Sequence, residues 1–403
     1  MTKLEELIQE LCPDGVEFKP IKEVYQRLKG TPITAAKMKE IERADGDVRI
    51  FAGGKTVIDA YEEDIPKANI TRVPAVLVQS RGVIDAVYYE KPFTFKNEMW
   101  AYTHENKTAV KYLYYVLKNN MEKFREAASG MGSLPQISLK VTEDFLIPVP
   151  PLPVQSEIVR ILDNFTELTA ELTAELTARK KQYEFYRDKL LTFGDARGGA
   201  TSDVVWRTLA EIADISTGSS NTDDAVEGGC YPFFVGSQQP LAKDEYEYDE
   251  EAIITAGDGV GVGKVFHYIN GKYALHQRAY RIHPATDGLL GKYLCHYFVA
   301  TFPKYIGQQM YQGSVPSIRR PMLNKFQVAI PSLDVQKRIV NVLDNFDAIC
   351  SDLKIGLPAE IEARKKQYEF YRDALLTYAA TGKIILTDRQ TDRQTDRQTI
   401  ITH

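Results

Sequence analysis

Apolar residues recur at three- and four-residue spacing through Ile158, Ile161, Leu162, Phe165, Leu168, Leu172 and Leu176, the period of a helix with one buried face. Pro150, Pro151 and Pro153 precede the run, and proline fits a helix only near its start. No later glycine or proline interrupts before Gly194, a plausible stop. The pattern therefore predicts a helix of about 40 residues, roughly 60 Å long. A second such run starts after Pro331, with Asp334 as candidate N-cap, and reaches about Gly382. Gly356 and Pro358 predict that this one is kinked or divided in two.

Outside these helices the periodicity is shorter. Runs of β type such as AVLVQS (75–80) and AIITA (252–256) alternate with turn glycines, and helical segments cover 111–127 and 292–306. Mixed α and β structure with a small sheet follows for each region.

The two helical runs are copies. ARKKQYEFYRD occupies 178–188 and again 363–373. Upstream, VQSEIVRILDNF (154–165) parallels VQKRIVNVLDNF (335–346), an offset of 336 − 155 = 181, and GSLPQI (132–137) parallels GSVPSI (313–318) at the same offset. FKPIKEV (18–24) resembles WRTLAEI (206–212), and between these landmarks the halves share almost nothing. The expected fold is α+β: two mixed α/β globular domains separated by two long antiparallel, coiled-coil-like helices in an internal repeat. The domains cover 1–150 and 195–330, the helices 151–194 and 331–382. The tail 383–403, with its TDRQ repeats, reads as low-complexity and disordered. One apolar stripe cannot be buried alone, so each helix is expected to pack on the other copy; the alternative is the surface of its own module.

TELTAELTAELTA (166–178) repeats every four residues inside the first helix. Four residues make about 1.1 turns, so one unit adds roughly 6 Å and rotates the helix only about 40°. The corresponding second segment is four residues longer (363 − 178 = 185 against 181) and carries no such repeat. A spacing ruler is one reading; a slippage-prone repeat in a solvated helix is the other.

Composition narrows the chemistry. The 403 residues carry a net charge of −5, against the basic balance of autonomous nucleic-acid binders. No apolar run nears the length of about 20 residues needed to cross a bilayer, and the N-terminus lacks a signal core, so a cytoplasmic location is expected. Cys12, Cys230, Cys295 and Cys350 form no CxxC pair, which favours free thiols over zinc or disulfides. GDGVGVGK (257–264) fails the Walker spacing, with Asp258 and Val265 at the wrong positions, and reads as a strand-turn with close backbone approach. No methyltransferase, dinucleotide-binding or nuclease frame is present, and a catalytic role is not expected.

Several polar clusters are candidates for touching a ligand. In the first module they are Lys55 and Thr56 after Gly53-Gly54, Gln79-Ser80-Arg81, and Lys96-Asn97 near Trp100 and Tyr102. In the second they are Ser237-Gln238-Gln239, His276-Gln277-Arg278 and Tyr311-Gln312. Amides and Arg or Lys are what base edges require, adenine taking Asn or Gln and guanine Arg or Lys; each cluster also fits an ordinary polar loop. Arg179-Lys180-Lys181 and Arg364-Lys365-Lys366 give each helix a basic cluster, either a solvated face or a surface offered twice to one kind of partner.

The boundaries IPVPPLPVQSEIVRILDNF and AIPSLDVQKRIVNVLDNF, the two-module frame and the TAEL array together resemble the specificity subunit of type I restriction–modification systems, over nearly the whole chain. That resemblance implies that each module reads one half of a split double-stranded DNA target. It implies that the helices set the gap and dock two methyltransferase subunits, through Leu168, Leu172, Leu176 and the basic clusters, with restriction/translocase subunits joining the complex. It also implies no cofactor in this chain, with S-adenosylmethionine, ATP and Mg2+ used by the partners. The rival expectation is a non-catalytic interaction scaffold without base readout; a third is an enzyme with an unrecognised site.

Overall fold

The computed structural model describes residues 3–54, 56–129, 135–193, 204–308, 316–352 and 354–381. The chain divides into two compact units, Met1–Glu171 with Ile361–His403, and Leu172–Glu360. Both divisions fall inside helical regions, so each unit combines one module with segments of both helical copies.

In the first unit, Phe18–Pro20 pairs antiparallel with Leu146–Pro148, tying the module's entry to its exit. Between them lies a four-stranded antiparallel sheet ordered Gln26–Leu28, Trp100–Thr103, Ala75–Gln79, Asp85–Tyr89. Every residue of Ala75–Gln79 is buried: Val76 and Val78 join the main core with the helix Lys107–Asn119, while Ala75 and Leu77 join a second cluster with Phe51, Phe93 and Phe95. Burial on both faces is why that strand reads as an unbroken apolar run. A second, three-stranded sheet holds Val57–Ala60, Val48–Phe51 and Phe93–Phe95. Asn106 caps Lys107–Asn119 through a 2.8 Å bond from the Thr108 amide. The single helix expected over 111–127 is divided at Asn120, whose side chain donates to the Val116 carbonyl at 2.8 Å. That bond draws on the chain's own backbone, as Asn does where a helix ends.

The second unit repeats the frame. Val205–Thr208 pairs antiparallel with Gln327–Ile330, the counterpart of the first pair, since 146 + 181 = 327. Its sheet has six strands, ordered Ala213–Thr217, Ala279–Pro284, Tyr248–Ala256, Phe266–Leu275, Tyr231–Phe234, Leu241–Lys243. The helix Gly291–Gly307 covers one face: Tyr293, Tyr297, Phe298 and Phe302 meet Ile215, Ile253 and Ile282 in the core.

Leu152–Leu191 is one uninterrupted helix of 40 residues. The second copy is two helices, Leu333–Ser351 and Leu357–Thr381. Between them Asp352 accepts from the amides of Lys354 (2.6 Å) and Ile355 (3.1 Å), and a side chain on Gly356 would strike the Ala348 carbonyl oxygen. The N-cap is Ser332, not Asp334, which sits in the first turn. There its carboxylate meets the positive end of the helix rather than capping it. Gly194, Gly382 and the TDRQ tail lie outside the described residues.

Each helical copy follows two surfaces in turn. Val154, Ile158 and Leu162 belong to the core of the first module, so the start of the first helix lies on its own module. Further along, packing on the other copy takes over. In the first unit Phe165 stacks on Tyr371; in the second, Tyr183 and Tyr186 meet Phe346 while Leu191 joins Ile339 and Leu343 in one core. In the second unit, ascending positions on one helix therefore meet descending positions on the other, an antiparallel pairing. Thr166, Thr169 and Thr177 satisfy their hydroxyls on carbonyls four residues back at 2.8–2.9 Å, and Leu168, Leu172 and Leu176 are half-buried, as is Thr169.

Candidate nucleic-acid interface

Three turns of the first module, all flagged by their sequence, come together at one end of its sheets. The Gly54 amide reaches the Arg81 carbonyl at 3.4 Å, the Gly53 amide donates to Glu98 Oε1 at 3.3 Å, and Lys96 Nζ meets the same carboxylate oxygen at 2.9 Å. The Ser80 hydroxyl donates to the Glu98 carbonyl, and the Lys96 amide bonds the Phe51 carbonyl at 2.9 Å. Glu98, which the sequence does not single out, is the common anchor. Burial pushes its carboxyl up, but the Lys96 ammonium and the Gly53 amide more than offset this and hold it below the ordinary glutamate value.

Thr56, Arg81 and Asn97 are exposed on this end and Lys96 is half-buried. Gln79 and Ser80 are not outward-facing: they are 6% and 1% exposed, Gln79 as the last residue of a strand packed on both sides and Ser80 as the residue after it. Tyr102 is likewise fully buried in the core. Lys55 lies outside the described residues, as do Tyr311 and Gln312 of the second module.

The second module builds the same frame from different residues. Gly82 donates to the Pro135 carbonyl at 2.9 Å, and Gly259 to the Pro316 carbonyl at 2.9 Å, with 135 + 181 = 316. Ile137 donates to the Ser80 carbonyl at 2.9 Å and Ile318 to the Gly257 carbonyl at 2.7 Å. Isolated bridges join Arg81 to Gln136 and Asp258 to Ser317. Gly82 and Gly259 share φ of 77°, a left-handed turn that glycine adopts without strain. At the neighbouring turn, Lys96 and His276 donate to the carbonyls of Phe51 and Phe234, each at 2.9 Å, and accept from the amides of Met99 and Ala279, each at 2.9 Å.

Those bonds equate Lys96 with His276, Asn97 with Gln277, Glu98 with Arg278, Arg81 with Asp258, and the Gly53–Thr56 turn with Gly236–Gln239. Ser237, Gln238, Gln239, Gln277 and Arg278 are exposed and His276 half-buried. Ser237 bonds the Gln239 carbonyl at 2.5 Å, Gln277 bonds Asn221, and Arg278 Nη1 lies 3.4 Å from Asp258 Oδ2. Asn221–Asp224 and His276–Arg278 line a shallow depression there. The Gly257–Lys264 segment is the close-approach turn its glycines implied: side chains on Gly257 and Gly261 would strike the Arg278 and Gly236 carbonyl oxygens. The sequence missed Asp258 and Glu98. Asp258 has one signal, the shared Gly-Val of RGVID (81–85) and DGVGV (258–262), too short to be noticed alone, and Glu98 has none.

The family model described as the type I restriction modification DNA specificity domain matches twice, over residues 13–179 and 201–363. The chain belongs to this family.

Among curated relatives of this type I specificity chain, the EcoR124I/EcoR124II specificity subunit of Escherichia coli is 30% identical over 82% of this chain and 87% of its own length. A putative type I restriction enzyme specificity subunit of Haemophilus influenzae is 29% identical over 94% and 99%. The fold matches the crystal structure of the S subunit of the M. genitalium type I system at TM-score 0.60, with 17% identity over 91% of this chain and 97% of that one. A chain from a study of complex assembly and conformational transition in the type I system matches at 0.55, also with 17% identity, over 92% and 98%.

The helical basic clusters are equivalent in detail. Arg179 bonds Gln182 and Arg364 bonds Gln367, each at 3.0 Å. Arg187 lies 5.8 Å over the Tyr183 ring and Arg372 5.7 Å over Tyr368. Arg179, Lys180, Lys181, Lys365 and Lys366 are exposed and Arg364 is half-buried, while Tyr183 and Tyr368 pack against the module cores. The tyrosines thus serve the helix packing, and the cations face outward. Among the described residues, no group of His, Cys, Asp and Glu is placed to hold a metal ion, and no helix is long and apolar enough to cross a membrane.

Proposed function

We propose that this chain is the DNA-specificity subunit of a type I restriction–modification complex, with each module reading one half of a bipartite double-stranded target. The observation that carries the reading is the pair of equivalent turn frames, hydrogen-bonded alike but carrying unlike side chains. A fixed scaffold with exchanged outward groups is what two readers of different sequences require, because base identity is read by donors and acceptors at the protein's edge.

In this reading the helices set the gap and dock two methyltransferase subunits, to which restriction/translocase subunits are joined in the cytoplasm. Exposed cations repeated on both copies suit two identical partners. The chain itself carries out no chemistry: S-adenosylmethionine, ATP and Mg2+ are used by the partner subunits. The net charge of −5 fits a subunit that reads bases while partners supply most phosphate contacts.

Methylome sequencing of cells expressing the chain with its partner subunits tests this. Two half-sites separated by a fixed gap are expected, and exchanging residues 195–330 for another family module should replace one half-site only. An unchanged motif after the exchange would leave a scaffold without base readout, and methylation or cleavage by the purified chain alone would contradict the non-catalytic role.

A further inference from the structure

We propose that Arg81 in the first module and Arg278 in the second are the specificity-determining residues that each read a guanine, with Asp258 positioning Arg278. The inference rests on the DNA-reading role above and names residues within it.

The two turns that carry these four residues are superposable by their bonds, yet their charges are exchanged. Arg81 stands where the second module has Asp258, and Glu98 where it has Arg278, by the equivalences that the Gly82–Pro135, Gly259–Pro316, Lys96–Phe51 and His276–Phe234 bonds define. At these two equivalent positions each module therefore carries one arginine and one carboxylate, with the arginine on opposite turns; in the first module Lys96 adds a second cation beside Glu98.

Their surroundings differ in availability. The Glu98 carboxylate is engaged by Lys96 and the Gly53 amide, whereas Arg81 is exposed. Arg278 and Asp258 are an ion pair at 3.4 Å with side chains 67% and 44% exposed. Such a surface pair contributes little to stability and opens readily for a ligand. A guanidinium presents two parallel donors that match guanine O6 and N7, and at Arg278 the Asp258 carboxylate restricts its rotamers and can accept from the paired cytosine's amino group.

The tips beside these residues point the same way. Val83 and Val260 follow the left-handed glycines at equivalent positions, 42% and 88% exposed. Two modules otherwise unlike in sequence keep Gly-Val here. An apolar side chain held out at a rim suits contact with a thymine methyl or a sugar face adjoining the guanine.

The test uses the full chain assembled with its partner subunits, measuring the preferred sequence by selection from a random duplex library together with the methylated motif. The wild type should yield a bipartite motif; if it shows no sequence preference, the DNA-reading role fails as a whole. Given that motif, Arg81→Ala should reduce the preference for guanine about tenfold or more at one position of one half-site, and Arg278→Ala should do so in the other. Arg81→Gln and Arg278→Gln keep a long polar side chain but remove the guanidinium, and glutamine pairs with adenine rather than guanine, so they should shift the same positions away from guanine while the other positions persist, and they decide the matter if an alanine variant fails to assemble. Asp258→Asn should affect only the half-site that Arg278 affects. A guanine preference unchanged in the glutamine variants, or a uniform weakening across all sequences, would overturn the assignment and make these phosphate contacts or bystanders.

Discussion

Phe165 stacks on Tyr371 with ring centroids 5.2 Å apart and planes 23° apart, and Phe346 stacks on Tyr186 at 5.9 Å and 26°. The positions correspond, since 165 + 181 = 346 and 186 + 185 = 371. Each copy's tyrosine therefore rests on the other copy's LDNF phenylalanine, and each pair sits within its own compact unit.

This reciprocity makes the stacked pairs a stability determinant of both units. Phe165→Ala should lower the unfolding free energy by about 1–2 kcal/mol for a half-buried ring, and a cycle with Tyr371→Ala should show a coupling of about 0.5–1.5 kcal/mol. Denaturant unfolding of the four proteins measures both; additive losses would mean the rings do not act as a pair.

Deleting Thr173–Leu176 removes one TAEL unit from an uninterrupted helix. It should shorten that helix by roughly 6 Å with about 40° of rotation, changing the DNA gap by one or two base pairs at ~3.4 Å each while both half-sites persist. Motif sequencing reads the outcome, and altered half-sites with an unchanged gap would contradict the ruler.

Gly259 adopts φ of 77° with open space where a Cβ would go. Gly259→Ala therefore costs backbone strain alone, about 1 kcal/mol, without a collision. A small loss of thermal stability is expected in calorimetry, together with weaker discrimination in a single half-site.

Asp347 provides a pH dependence. Burial pushes its carboxyl above the ordinary aspartate value; Asp344 adds to this, and His296, Tyr183 and Arg187 offset it only in part. A folded-state value above the unfolded one means that the contribution to stability is greatest at low pH and is lost as pH rises through the folded value. Asp347→Asn should thus raise the melting temperature near neutral pH, and the gain should fade towards pH 4. An equal gain at every pH would assign the effect to packing.

The helical half of this architecture was legible because helix signals are local. The apolar period of Ile158–Leu176 and the prolines before it placed a single 40-residue helix, and Gly356 with Pro358 placed the division between Ser351 and Leu357. The four extra residues of the second copy go into that turn rather than into a longer helix. The N-cap was misplaced by two positions because Ser332 and Asp334 both carry capping groups, and backbone geometry chooses between them.

The polar clusters were also found, but not their ranking. Gln79 and Ser80 read as donors and acceptors like Arg81, yet Gln79 ends a strand covered on both faces and the Ser80 hydroxyl is turned onto the Glu98 carbonyl, so both are buried. Exposure is a property of the packed sheet, and a run of six residues does not state which sheet will cover it.

By itself, the sequence determined the duplication, the helix lengths, the family and the loops worth watching, since each is written in near-neighbour residues or in repeated words. Only the tertiary structure decided that Arg81 answers to Asp258 and Glu98 to Arg278. Their offsets differ along the module (258 − 81 = 177, 278 − 98 = 180, 317 − 136 = 181), because the intervening loops have unequal lengths, and surface loops absorb insertions at little free-energy cost. No constant shift of the sequence against itself brings these residues into register. The register is held instead by backbone bonds between segments far apart in the chain, Gly82 to Pro135 and Gly259 to Pro316.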